Sequence, residues 1–233
     1  MRTNNITAIL AILSIMVLTN CSSDSGDDTT SVNPSSGGFV DGTTRKHYGK
    51  DKPQFCDERD GHKYVYVTTG EGTTAQTWMA ENLNYEAEGS KCYDDDDENC
   101  EKYGRLYDWN TAMKSCPEGW HLPSRDEWDI LRTVIGGREI AGKLKTASGW
   151  NDGYKGKSSN GEDAYGFSAL PGGRGYSDGR FGFVGNYSEW WIGKHHKNSS
   201  DNAYYLFVSY RSEYTYYGLS GKSVFLSVRC VRD

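Results

Sequence analysis

The chain has 233 residues and a formal net charge of −6. An acidic balance excludes a reader of the nucleic-acid phosphate backbone, which needs a basic face. Tyrosine supplies 17 residues while Ile, Leu and Val are sparse. A core of that composition is built from rings, glycine-rich turns and crosslinks, not from aliphatic helix faces.

In chain order, the first element is a targeting segment, residues 1–20. Ile6 to Leu18 is apolar except for Thr7 and Ser14. It is shorter than the roughly 20 residues of a spanning helix. It runs into Leu18-Thr19-Asn20-Cys21, which resembles a bacterial lipobox with cleavage before Cys21, although Asn20 departs from the usual small residue. The expectation is a lipid on Cys21 that anchors the chain without crossing the bilayer. Ser22 after the cysteine and the acids Asp24, Asp27 and Asp28 point to the outer membrane or cell surface. Ser22 to Gly38 is rich in Ser, Gly, Asp and Thr and has no apolar period. Such a segment cannot bury enough surface to offset ordering entropy, so residues 21–54 read as a flexible tether. Residues 55–233 have the length of one domain.

Cys56 to Tyr85 reads as strands, with Asp60-Gly61 as a turn and Lys63 to Thr68 alternating. Thr77 to Met79 begins another strand, which turns a tight corner at Glu81-Asn82. Asp94 to Glu98 is an acidic loop. A solvated charge run is the plain reading, with a calcium site as the alternative that clustered carboxylates leave open. Leu106 to Met113 reads as a short helix. Ser124-Arg125-Asp126-Glu127 is a capping box, and Trp128, Leu131, Arg132 and Ile135 follow at helical spacing before Gly136-Gly137. His121 lies in the turn before that helix. It reads as a buried hydrogen-bonding histidine, because no nucleophile or carboxylate pair stands beside it in sequence.

Ile140 to Lys145 is a brief helix. Trp150 to Ala164 is a long polar loop and a second place for calcium. Loops of this length are functional or disordered. Tyr165 to Gly173 reads as an apolar strand closed by Pro-Gly-Gly, and Arg174 to Val184 as a hairpin. Glu189-Trp190-Trp191 is a strand that should send one Trp into the core and the other outward or under a loop. Ala203 to Tyr210 and Ser223 to Cys230 read as a closing hairpin, with Tyr214, Tyr216 and Tyr217 crowding the loop between them.

Three motifs stand in order along the chain: W-M-A-E-N-L-N-Y from Trp78, the run from Tyr103 to Trp128 with its Gly-Trp-His-Leu-Pro turn, and Y-G-F-S-A-L-P-G-G from Tyr165. Together they resemble the Fibrobacter succinogenes major paralogous domain over Phe55 to Asp233. The resemblance implies an α+β, C-type-lectin-like fold related to the formylglycine-generating-enzyme domain. It would have two short helices and antiparallel hairpins, be rich in loops and be stapled by disulfides. It also implies the long bridge Cys116–Cys230, while proximity pairs Cys92 with Cys100. With Cys21 lipidated, the odd count leaves Cys56 over. No C-x-x-C spacing points to structural zinc. Trp150-Asn151-Asp152 has the letters of a calcium-lectin motif but stands too far upstream, and the sugar-selecting E-P-N tripeptide is absent.

No G-x-S-x-G, phosphate loop or H-E-x-x-H occurs. The copper-binding cysteine pair of the formylglycine-generating relatives has no counterpart, because Cys230 is assigned to a bridge. Glu127, Asp163 and Glu189 could serve as glycosidase acids, but no spacing selects a pair. The expectation is therefore a non-catalytic, cofactor-free surface domain. Its contact residues would be Tyr187, Trp191, Tyr204, Tyr214, Tyr216 and Tyr217, since Tyr and Trp stack on sugar rings and anchor protein contacts. Plant-wall polysaccharide is the first choice of partner, a surface protein the second, and an enzyme of unknown reaction the third.

Overall fold

The computed structural model describes Cys21, residues 40–195 and residues 201–233. The expectations for the leader and for residues 22–39 of the tether fall outside them. Within them the fold is mixed α+β and mostly sheet, with few helices and three disulfides. In chain order the elements are β1 (Val40–His47), β2 (Lys50–Cys56), β3 (Lys63–Thr69), β4 (Gln76–Met79), α1 (Asp97–Tyr103), β5 (Leu106–Tyr107), α2 (Trp109–Ser115), β6 (Trp120–His121), α3 (Arg125–Ile135), α4 (Ala141–Leu144), β7 (Arg174–Gly175), β8 (Phe181–Gly182), β9 (Tyr187–His195), β10 (Asn202–Ser209), β11 (Thr215–Gly221), β12 (Leu226–Ser227) and β13 (Val231–Arg232). One sheet has the order β1-β2-β3-β4-β13-β6, a second β11-β10-β9-β12-β5, and β7-β8 is a small hairpin.

Two apolar clusters form the core. The first gathers Trp78, Trp128, Leu131, Ile135, Phe167, Trp190, Leu206 and Val231. The second gathers Phe55, Tyr64, Met79, Tyr107, Trp109, Trp191, Leu226 and Cys230. Strand alternation explains the split, because successive side chains point to opposite faces. Trp78 enters the first cluster and Met79 the second. Trp190 and Trp191 do the same, and both are fully buried. The outward position expected for one Trp of that pair is therefore corrected: the sheet is covered on both faces there.

The strongest helix signal holds. Ser124 Oγ accepts from the Glu127 amide at 3.3 Å, and Glu127 Oε2 accepts from the Ser124 amide at 2.7 Å. Trp128, Leu131 and Ile135 point inward. Leu131 and Ile135 contribute about 2–3 kcal/mol each by burial.

Several local expectations change. Val40–His47 and the first five residues of Lys50–Cys56, assigned to the tether, pair as an antiparallel hairpin at the sheet edge. Two of its own lysines tie it to residues far along the chain. The Lys52 ammonium donates to Gly166 O at 2.7 Å and Ser168 Oγ at 2.8 Å, and Lys50 donates to Asp163 O at 2.5 Å. Leu106–Tyr107 is a strand, and the helix after it starts only once Asp108 caps Asn110 and Thr111. Tyr165 to Gly173 touches Lys145 only through an isolated bridge at Ala169 and is otherwise irregular. The tyrosine loop is β11, which pairs with β10 from Asn202↔Gly221 to Val208↔Thr215. Ser223 to Cys230 instead contributes β12, parallel to β9 and antiparallel to β5.

Cys92–Cys100 and Cys116–Cys230 are bridged as expected. Cys56 is not left over; it pairs with Cys21.

Candidate functional site

The W-M-A-E-N-L-N-Y and Y-G-F-S-A motifs converge on one buried group. Arg229 is fully buried. Its Nε and Nη2 donate to Asn82 Oδ1 at 3.1 and 2.7 Å, and its Nη1 donates to Phe167 O and, at 3.4 Å, to Met79 O. The guanidinium lies 4.5 Å from the Phe167 ring centre and 5.6 Å from that of Trp190. Asn82 Oδ1 accepts a third bond from Trp190 Nε1 at 2.8 Å, while its Nδ2 donates to Tyr103 O at 2.8 Å. Burial pulls Arg229 down to about 9, against the raising effect of Glu81, Asp163 and Tyr48. It stays charged at neutral pH, held by an amide, two carbonyls and two rings. Gly104 has φ +76, and a Cβ there would stand 2.7 Å from Asn82 Cβ. Only glycine lets the chain cross so close to this asparagine. These motif residues hold the fold together; they are not a solvent-facing site.

The solvent-facing feature is an aromatic ladder on one face of β9-β10-β11. The register places Phe207 opposite both Glu189 and Tyr216, Tyr205 opposite Trp191 and Gly218, and Ser209 opposite Tyr187. Directly opposed residues share a face. Ring centres run Phe183–Tyr187 5.4 Å, Tyr187–Phe207 6.1 Å, Phe207–Tyr216 5.2 Å and Tyr216–Tyr214 6.3 Å, with Tyr205 5.7 Å from Phe207. Phe183 and Tyr214 are exposed, and Tyr187, Tyr205, Phe207 and Tyr216 are half-buried. Gly218 has no side chain because the Tyr205 ring fills that space. Behind the rings, Arg174 forks onto the buried Glu189, with Nε to Oε2 at 2.6 Å and a second bond from Nη2 to Oε1. The floor is thus polar but charge-balanced, and the rings are what it presents.

Of the six expected contact residues, Tyr187, Tyr214 and Tyr216 belong to this ladder. Trp191 shares the face but is fully buried, and its Nε1 donates to Tyr107 O at 2.7 Å. It is withdrawn as a contact residue. Tyr204 and Tyr217 lie on the other face, against α3: the Arg125 guanidinium is 5.9 and 4.5 Å from their ring centres, and Tyr217 OH donates to Asp129 at 2.8 Å. Phe183, Tyr205 and Phe207 were missed. The signal was present in β10, where Tyr205 and Phe207 alternate with Leu206 and Val208, but the partner strands had to be known to say which face was open.

The candidate acids are each engaged separately. Glu127 closes the cap of α3, Asp163 accepts from the Ser168 amide at 2.6 Å and its hydroxyl at 2.8 Å, and Glu189 holds Arg174. His121 is not buried as expected: its side chain is 41% exposed and stands between Asp233 at 2.5 Å and Glu127 at 2.7 Å. Burial lowers its pKa, and the two carboxylate bonds reverse that and raise it. Both ring nitrogens are engaged, so neither is free to act as a base. In the two calcium candidates, Asp96 caps α1 and Asn151 bonds Asn186 at 3.1 Å. Among the described residues no group of three His, Cys, Asp or Glu side chains is placed to hold a metal.

A second concavity of about 280 Å³ lies under the β1–β2 turn, lined by His47, Tyr48, Glu81, Asn82, Asn84 and Tyr103 among others. His47 Nε2 and Asn84 Oδ1 are buried there without a partner. Burial, with Lys52, Arg45 and Arg229, pulls His47 down to about 4 against the opposing effect of Glu81. The unfolded chain takes up this proton near its ordinary 6.5 and the folded chain only near 4. The stability that neutral His47 allows is full above pH 6.5 and declines as pH falls toward 4, by up to about 3 kcal/mol. His47→Gln should flatten the urea-midpoint profile between pH 7 and 4.5. Parallel profiles for the two proteins would show that His47 is not the acid-sensitive group.

The molecule is thus a sheet-rich α+β domain, held by a buried asparagine–arginine knot, with an open aromatic face. The family model of the Fibrobacter succinogenes major domain matches residues 73–232, and the chain belongs to that family. No curated protein and no solved structure matches it.

Proposed function

We propose that this is a lipid-anchored protein of the outer membrane or cell surface whose C-type-lectin-like domain binds extracellular polysaccharide without catalysis. The observation that carries the reading is the ladder Phe183–Tyr187–Phe207–Tyr216–Tyr214. A row of half-open rings offers flat apolar faces for sugar rings, with the Tyr214 and Tyr216 hydroxyls held by Glu139 and Ser212 at its edge. Its rigidity suits recognition, because aromatic side chains lose little entropy on contact. The lipobox at Leu18 to Cys21 supports the anchor. The best-matched ligand is a neutral plant-wall glycan, because the charges behind the rings, Arg174 and Glu189, balance each other. Calcium does not enter the contact as proposed.

Retention of the soluble domain on insoluble cellulose, xylan and pectin tests this. Phe207→Ala and Tyr216→Ala should each weaken retention by about 1–3 kcal/mol, roughly five- to 150-fold, with melting little changed for Tyr216→Ala. Tyr204→Ala, on the opposite face, should leave retention intact. If the native domain passes through all three matrices, the polysaccharide reading fails and a surface protein becomes the partner to seek on the same rings.

A further inference from the structure

We infer that Cys21 is a branch point between two covalent forms of this protein, one lipidated with Cys56 as a thiol, the other closed by a Cys21–Cys56 disulfide. The inference rests on the lipoprotein reading and adds to it the partner with which the lipid competes. The lipobox makes the Cys21 sulfur the lipid acceptor. The fold joins that same sulfur to Cys56, with the two Cα atoms 5.9 Å apart, within the span that a bridge requires. One sulfur can form only one of these bonds.

Both steps balance. In lipidation the Cys21 S–H bond is replaced by a thioether S–C bond to a diacylglyceryl group. The phospholipid headgroup leaves as the phosphate and carries the proton. In bridging, the two thiols give up two protons and two electrons to the disulfide of a thiol–disulfide oxidant, which departs as a dithiol. Whichever step comes first removes the thiol that the other needs.

The other cysteines cannot take Cys21's place. Cys92–Cys100 and Cys116–Cys230 are already closed. Cys56 ends β2, opposite Lys63, and is only 4% exposed. In the lipidated form it is an unpaired thiol at the end of that strand, since no other cysteine is left to bridge it. In the bridged form residue 21 is pinned to the hairpin that opens the six-stranded sheet. The same chain is thus either tethered to a membrane or stapled to its own domain.

The full chain is expressed in a Gram-negative host and quenched with N-ethylmaleimide in denaturant without reductant. Intact mass and non-reduced peptide mapping then read its forms. Two species are expected: one with diacylglyceryl on Cys21 and a single maleimide on Cys56, the other with neither and with a linked Cys21–Cys56 peptide. Cys56→Ser should abolish the second species and move chains into the first. Cys21→Ser should leave one maleimide, on Cys56. Lipid on Cys21 with no linked peptide at any level of oxidant overturns the branch and leaves the anchor standing. A linked peptide with no lipid on any species overturns the anchor, and the branch with it.

Discussion

Asn82→Ala should destabilise the domain by about 4–6 kcal/mol, enough to unfold many proteins of this size. The side-chain oxygen of Asn82 accepts three bonds from buried donors: Arg229 Nε and Nη2, and Trp190 Nε1. Removing it takes the acceptor from two of the guanidinium's N–H groups, while Nη1 keeps its carbonyls, at about 3 kcal/mol for a buried charged donor. An unpaired indole N–H adds about 1–3 kcal/mol. Asn84, two residues on in the same motif, makes the comparison sharp. Its side-chain oxygen has no partner, so Asn84→Ala should cost less than about 1 kcal/mol. Urea unfolding of the two variants measures the difference. Where Asn82→Ala yields no folded protein, the double variant with Arg229→Met should recover part of the loss, because donor and acceptor leave together. An Asn82→Ala variant within 1 kcal/mol of the native domain would mean that Arg229 finds other acceptors.

Opening Cys116–Cys230 should cost about 4–5 kcal/mol, against about 2.5 for Cys92–Cys100. The long bridge spans 114 residues and the short one 8, and the difference is the loop entropy restored to the unfolded chain. The long bridge also joins the residue after α2 to the strand region beside β4, where Cys230 O accepts from the Met79 amide at 3.0 Å. Alanine at both cysteines of each bridge, compared by urea midpoint, is the measurement. Equal losses for the two bridges would show that native-state strain or residual structure outweighs loop length here.

The N-terminal boundary of the domain shows how composition misleads at an edge. Residues 40–54 look like tether because their side chains are polar and short of apolar alternation. They are strands all the same, β1 paired with β2 and β2 with β3, and Lys50 and Lys52 tie them to acceptors at Asp163, Gly166 and Ser168, more than a hundred residues away. Buried Lys52, pulled down to about 8 by burial against the raising effect of Asp163, is invisible in any local window. His121 misleads in the same way: Glu127 is near in sequence, but Asp233 reaches it only through the pairing of β13 with β6.

The sequence by itself determined the family, through three ordered motifs, and with it the α+β class and the long bridge, while proximity gave the short one. It also determined α3, whose cap, periodicity and glycine stop all act within a dozen residues. Tertiary structure alone decided which aromatic residues are open. Tyr216 and Tyr217 are neighbours of the same type on one strand, yet one stacks on Phe207 at the surface and the other lies under α3. Alternation tells that they part, but only the identity of the covering elements tells which side meets water. Trp191 was settled the same way: on the open face by register, it is closed off by α2 and by β12, whose residues join it in one cluster.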